Sequence, residues 1–293
     1  MSSGALETAC AAGLLEPPET SALGRAPRGA AAADDFISGG IAPCGVASLA
    51  WSSVLLVDTA AFKGAAPKTL AEAFDVRRFP GKRALPRSPR HLLEAALMAE
   101  GVAPADVYRT LATEDGLKRA IDRARAIHPH TVWWDNAGEA VKHLREKRVV
   151  IALAYSGRAF QEFATSVYDL TYWAVPKAAR HKEAAREFIA FATEPERLAA
   201  TARHFPYGPA RQSAVALVGR HAVLGIELGT HLPTAPENMT RALRFDAVWW
   251  LENEARVTDL FNAMLNETGA ASAKAAAPPP GPTKAPRPAK KPR

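Results

Sequence analysis

Few residues in this chain are placed for bond-making chemistry. His128 and His130 flank Pro129, which reads as a solvated loop and not a metal or proton-transfer pair. Glu114 and Asp115 stand side by side where a helix should begin, and acids there favour the helix dipole. Cys10 and Cys44 show no CxxC spacing and no zinc-like array. They allow either a disulfide in an oxidising compartment or two independent buried thiols. There is no GxSxG, Walker A, HExxH or GxGxxG pattern. A non-enzymatic protein without metal or cofactor is therefore expected.

What the chain does offer is aromatic residues beside acids and hydroxyls at the ends of strands. The stretch Tyr168-Asp169-Leu170-Thr171-Tyr172-Trp173-Ala174-Val175-Pro176-Lys177 is crowded with aromatic and β-branched residues and reads as a strand that Pro176 ends. A helix follows over 182–192, with Ala185, Phe188, Ile189 and Ala192 on its apolar face. Ala47 to Val57, centred on Trp51, reads as a second strand, and Val149 to Ala154 as a strand buried on both faces. Tyr155 stands at the end of the latter.

Helices separate these strands. One is expected over 5–15, with Gly13 as its stop, and another over 68–79 with the Thr69/Glu72 capping-box spacing. Ser88 as N-cap, Pro89 at the first position and Gly101 at the end punctuate a third. Further helices are expected over 114–127, from Asn136 through Lys147, and from Trp250 to about Leu265. Such alternation argues for an α/β architecture.

The bulk numbers agree. The chain has 293 residues, 48% of them hydrophobic, which is enough for two lobes. It contains no run of 18 apolar residues that would span a membrane. The net charge is +7, and the tail holds Lys274, Lys284, Arg287, Lys290, Lys291 and Arg293 with no acid. Scattered cations of this kind bind polyanions weakly, so no nucleic-acid partner is expected. The Ala/Pro/Lys composition predicts a disordered tail over 267–293. The start, Met1 to Glu7, has neither a basic nor an apolar signal region.

The strand–Pro–Lys–helix run at 168–192, the exit Gly13-Leu14-Leu15-Glu16, the turn Phe79 to Pro86, Pro206-Tyr207-Gly208-Pro209, Leu232 to Asn238 and Trp249-Trp250 keep one order along residues 5–265. In that order they resemble the periplasmic solute-binding proteins of ABC transporters, most closely the spermidine/putrescine-type subunits. The resemblance implies an α/β, two-lobe periplasmic-binding-protein-like type II fold, with lobe one incomplete at the N-terminus. Lobe one would take 1–61 plus 172–213, and lobe two 62–171 plus 214–266. About ten residues of the family pattern are missing between Arg158 and Tyr168.

The same resemblance nominates the ligand-binding residues Trp51, Ser88, Tyr155, Asp169, Thr171, Tyr207 and Trp250. A polyamine would lie against aromatic faces with its ammonium groups held by carboxylates. Two positions depart from that pattern. Ser88 and His91, beside Arg87 and Arg90, stand where polyamine binders carry acids, and Thr171 replaces another acid. A basic helix start attracts anions. The expected function is capture of a small solute, a polyamine by resemblance, between two lobes, and its delivery by a monomeric periplasmic subunit to an ABC permease. The alternatives are a binder of a carboxylate or other anionic solute, and a truncated remnant that binds nothing.

Overall fold

A computed structural model describes residues 1–26, 29–158 and 165–276; the side chains of 158, 165, 166 and 268–276 are outside that description. The segment 277–293, which holds most of the basic tail expected to be disordered, lies outside the described residues.

The strands are β1 (Ile41–Ala42), β2 (Gly45–Val57), β3 (Arg83–Pro86), β4 (Thr131–Trp134), β5 (Ile151–Tyr155), β6 (Thr165–Trp173), β7 (Gly208–Pro209) and β8 (Leu243–Arg244). The helices are α1 (Ser3–Ala11), α2 (Ala32–Asp35), α3 (Leu70–Phe74), α4 (Leu92–Ala99), α5 (Val107–Leu111) and α6 (Glu114–Ile127), then α7 (Ala137–Arg145), α8 (Lys182–Ala192), α9 (Pro195–His204), α10 (Gln212–Val215), α11 (Pro236–Met239) and α12 (Ala247–Ala276).

One mixed sheet runs β4-β3-β5-β2-β6-β8, with β1 and β7 also paired to β2. Strand β2 is its axis. Along its second half it pairs antiparallel with β5, from Ser53 opposite Tyr155 to Val57 opposite Ile151. Along its first half it pairs antiparallel with β6, with Leu49 opposite Thr171 and Trp51 opposite Asp169. The two long strands therefore connect separate cores. Val46, Ala47, Ala50, Leu170 and Tyr172 pack with Leu6 of α1 at one end. At the other end Leu55, Leu153 and Val167 pack with α4, α6 and α12 on one face. Val54, Leu56 and Ala154 pack with Ala140 of α7 on the reverse face.

Local signals explain most boundaries. Gly13, at φ +67°, takes the left-handed position after α1, and the N–H groups of Gly13 and Leu14 close on Cys10 and Ala9. The Asn136 carboxamide accepts from Gly138 N–H at 2.9 Å and Glu139 reaches back to the Asn136 N–H, a capping box. The expected start at Ser88 is displaced. Helix α4 begins at Leu92, with His91 in the left-handed region at φ 65°. The Ser88 hydroxyl instead accepts from Arg90 N–H at 3.3 Å, closing a turn ahead of the helix. At the other end of the chain α12 starts at Ala247 and continues to Ala276, well past the expected stop near Leu265.

Two further departures concern packing. Residues 215–235 pack on α9: Val218, Leu228, Leu232 and Ala235 cluster with Ala199 and Ala202. Helix α8 has the expected bounds and amphipathic spacing, yet none of its residues is fully buried, and Phe188 and Phe191 are half exposed.

Candidate functional site

The alternation of a strand decides which side chains meet at the centre of the sheet. Residues two apart on β2 share a face, and directly paired residues share it too. Leu49, Trp51 and Ser53 thus stand on one face with their partners Thr171, Asp169 and Tyr155. On this face, beyond the helices that cover Leu55 and Leu153, lies a cleft of about 390 Å³ lined by Leu49, Trp51, Tyr155, Thr171 and Tyr207. Four of the seven residues nominated by the sequence are in that wall, and all four are half-buried.

The aromatic rings are fixed from several sides. The Trp51 indole meets Tyr155 edge-on, with ring centroids 4.7 Å apart, and Tyr155 meets Trp134 edge-on at 5.5 Å. Burial raises the Tyr155 hydroxyl pKa, so it stays a neutral donor and acceptor. Tyr207 is carried to the cleft by the Pro206–Pro209 turn, which pairs β7 with Leu49 and Ala50. Its ring lies directly over Gly157, where an added methyl would overlap the ring atoms. Leu49 and Tyr207 also border an open groove of about 420 Å³ whose walls include Trp173, Phe188, Phe191 and Phe205.

The remaining nominated residues sit elsewhere. Asp169 is opposite Trp51 but is buried, and its carboxylate accepts the Leu170 N–H at 2.7 Å. Burial raises its pKa, against the lowering pull of Ser3, the Leu170 N–H, Arg90 and Arg244. Ser88 closes the turn described above and is not in the cleft wall. Trp250, expected at the cleft, is 1% exposed in the core beneath α4. Its indole N–H donates to Glu94 at 2.6 Å, which turns it away from solvent. The tryptophan pair falls in the first turn of α12, where Asp246 caps the Trp249 N–H at 2.9 Å, and that turn is pressed into the core.

Sequence reasoning did not count His91 among the site residues. Its ring is buried between Trp51, at 4.9 Å, and Phe245, stacked at 4.9 Å and 6°. Burial, with Arg90 beside it, lowers its pKa to about 3, so it is neutral in ordinary conditions. The available signal was its position with Ser88 and Arg90 where polyamine binders carry acids. His128 is likewise more than a solvated loop residue, since its Nδ1 accepts the Trp133 indole N–H at 2.7 Å.

Cys10 and Cys44 form a disulfide with Cα atoms 5.8 Å apart, tying α1 to the turn before β2. Among the described residues no cluster of acids, histidines or cysteines could hold a metal ion. Arg90 is engaged with Glu254 at 2.6 Å, and its guanidinium lies 5.7 Å from the Trp250 ring centroid. The cleft can therefore offer aromatic faces and hydroxyls to a small polar molecule, with no reacting group aimed into it.

Residues 1–222 match the family of bacterial extracellular solute-binding proteins. The chain is 35% identical over 238 residues to the gamma-aminobutyric acid-binding protein of Pseudomonas aeruginosa, covering 78% of this chain and 66% of that protein's length. Among solved structures it resembles the binding protein AgtB from Agrobacterium tumefaciens R10, in complex with agropinic acid. The TM-score is 0.68 and the identity 26%, over 90% of this chain and 80% of that one. MotA from A. tumefaciens B6, in complex with glucopine, gives a TM-score of 0.73 at 24% identity, over 90% of this chain and 82% of that one. The fold is the mixed α/β, two-lobe architecture of these binding proteins. The names of these relatives do not support narrowing the resemblance to the spermidine/putrescine branch. A family match of this extent makes the chain a member of the bacterial extracellular solute-binding proteins, a periplasmic binding protein.

Proposed function

We propose that this protein is the solute-binding subunit of an ABC importer for a small carboxylate-bearing solute of the γ-aminobutyrate class. One observation carries the choice of ligand. The cleft wall of Leu49, Trp51, Tyr155, Thr171 and Tyr207 contains no carboxylate among the described residues. A polyamine needs carboxylates to hold its ammonium groups. The nearest candidate, Asp169, is buried and spends one oxygen on the Leu170 N–H. An amino acid needs less: its single ammonium group can rest on the Trp51 and Tyr155 faces. The Thr171, Tyr155 and Tyr207 hydroxyls can donate to its carboxylate. The names of the 35% identical relative and of the agropinic acid complex point the same way.

Capture would work by closure of two lobes about the middle of β2 and β6, the two strands that run from one core into the other. Lobe one is taken as 1–61 plus 172–235, and lobe two as 62–171 plus 236–266. Residues 215–235 go with lobe one because they pack on α9. The solute bridges Tyr207 on one side and Tyr155 on the other, stabilising the closed form, and the closed form docks on a membrane permease. Trp51, Tyr155, Thr171 and Tyr207 are the proposed ligand contacts, with Asp169 beside Trp51 on the neighbouring strand.

Calorimetric titration of the purified chain with γ-aminobutyrate, putrescine and spermidine tests this reading. Heat and a saturable isotherm with γ-aminobutyrate alone are expected. Saturable binding of the two polyamines without γ-aminobutyrate would return the assignment to a polyamine binder. No binding by any of the three would remove the γ-aminobutyrate class.

A further inference from the structure

His91 combines features that a residue serving only the core would not need. Its backbone is left-handed at φ 65°, a conformation that is costly for residues other than glycine. Its ring is buried, and Nδ1 has no hydrogen-bond partner. Both costs fall on one side chain, and that side chain is wedged between the cleft wall and the core. A continuous row of rings runs through it. Tyr155 meets Trp51 at 4.7 Å, Trp51 meets His91 at 4.9 Å, His91 stacks on Phe245 at 4.9 Å, and Phe245 stacks on Trp250 at 6.2 Å. The row joins β5, β2, the start of α4, the segment after β8, and α12.

We propose that His91 is a positioning residue for the solute cleft: its ring braces the Trp51 indole from behind and ties it to Phe245 and Trp250. The choice of residue type follows from the two demands at this position. The site needs a flat ring between Trp51 and Phe245. The backbone turn ahead of α4 needs a residue that tolerates the left-handed region, and histidine is enriched there. Histidine meets both. Phenylalanine meets the first with more backbone strain, and asparagine meets only the second. The role in affinity rests on the solute reading given above; the bracing of Trp51 does not.

The test therefore has two arms on His91→Asn, His91→Phe and wild type, each first shown to melt cooperatively. In the first arm, the indole N–H signals of the 6 tryptophans are recorded by ¹H–¹⁵N correlation, with the Trp51 signal identified by its loss in Trp51→Phe. In His91→Asn the Trp51 signal should shift and broaden, and in His91→Phe it should stay sharp and close to the wild-type position. In the second arm, the γ-aminobutyrate Kd should rise at least fivefold in His91→Asn and stay within about threefold of wild type in His91→Phe, which is less than 0.7 kcal/mol. An unchanged Trp51 signal in His91→Asn overturns the proposal whatever the solute. If wild type fails to bind γ-aminobutyrate, the functional reading falls, and the first arm alone decides the bracing role. Equal loss of affinity in both variants would mean that the imidazole nitrogen acts and not the ring, which also overturns it.

Discussion

The Trp250 indole N–H donates to Glu94 at 2.6 Å, and the Tyr108 hydroxyl donates to the same oxygen at 2.9 Å. Glu94 is fully buried and no cation is paired with it among the described residues. Burial therefore dominates, and raises its carboxyl pKa from 4.5 to about 7 despite those donors. Three residues earlier, burial moves His91 in the opposite sense, from 6.5 to about 3.

These two shifts have opposite consequences for stability. Glu94 keeps its proton in the folded state. Its contribution is full below about pH 4.5 and is lost as pH rises through 7, roughly 3 kcal/mol in all. His91 stays neutral in the folded state. Its contribution is full above about pH 6.5 and is lost as pH falls toward 3, roughly 5 kcal/mol in all. Between about pH 4.5 and 6.5 the slopes cancel. Glu94→Gln keeps an acceptor for both donors and removes one slope, so its stability should climb by about 2 kcal/mol from pH 5 to 6.5 relative to wild type. His91→Phe should show the reverse trend. Urea denaturation at several pH values measures both, and parallel curves for wild type and Glu94→Gln would sink the assignment.

The disulfide between Cys10 and Cys44 closes a segment with a sequence separation of 34. Chain entropy assigns such a loop about 4 kcal/mol. The Cys10→Ser/Cys44→Ser double variant should therefore melt well below wild type, and dithiothreitol should lower the wild-type midpoint while leaving the double variant unmoved. Equal midpoints with and without reductant would show that the bridge contributes nothing.

The regular part of this architecture was legible because local rules agree with tertiary ones there. The bounds of α6 and α8, the Asn136 box, the Gly13 stop and the buried run of β5 all follow from spacing and capping. What escaped was decided by side chains distant in sequence. Trp250 is expected at the cleft, but Asp246 caps the Trp249 N–H in the first turn of α12 and Glu94 draws the Trp250 indole inward. Ser88-Pro89 looks like a helix start, yet the stacking of His91 between Trp51 and Phe245 delays the helix to Leu92. Trp51, Tyr155, Thr171 and Tyr207 could be named from the resemblance. That they share one wall depends on the β2–β5 and β2–β6 registers, which the sequence does not state.

Arg211 and Asp35 form a buried pair at 2.7 Å that fastens the irregular N-terminal segment to α10. Burial pushes the Asp35 carboxyl up, but the Ser213 hydroxyl and N–H and the Arg211 guanidinium outweigh it and hold it below the usual range. Arg211 also donates to the Gly24 carbonyl at 3.0 Å and the Thr193 carbonyl at 3.3 Å. Removing one partner strands the other, so Arg211→Met and Asp35→Asn should each cost about 3–5 kcal/mol. The double variant should cost less than the sum. Strict additivity in denaturant melts would mean that the pair is not coupled.

Gly157 and Tyr207 make the last test, because their contact shapes the cleft without either being buried in the main core. The Tyr207 ring rests on the backbone of the turn after β5, and only the absence of a side chain at 157 leaves room for it. Gly157→Ala should push the ring off that turn and open one wall of the cleft. Overpacking of this kind costs about 1–3 kcal/mol where the neighbour cannot move. A half-buried tyrosine can move, so the loss should appear more in solute affinity than in the melting midpoint. A roughly tenfold weaker Kd for γ-aminobutyrate is expected, about 1.4 kcal/mol. Tyr207→Ala alone should weaken binding by a similar factor, since it removes the same wall. The informative variant is the double one. With the ring already gone, the added methyl meets nothing, so Gly157→Ala should cost nothing further in the Tyr207→Ala background. If the two losses add instead, the glycine acts through the conformation of its own turn and not through Tyr207.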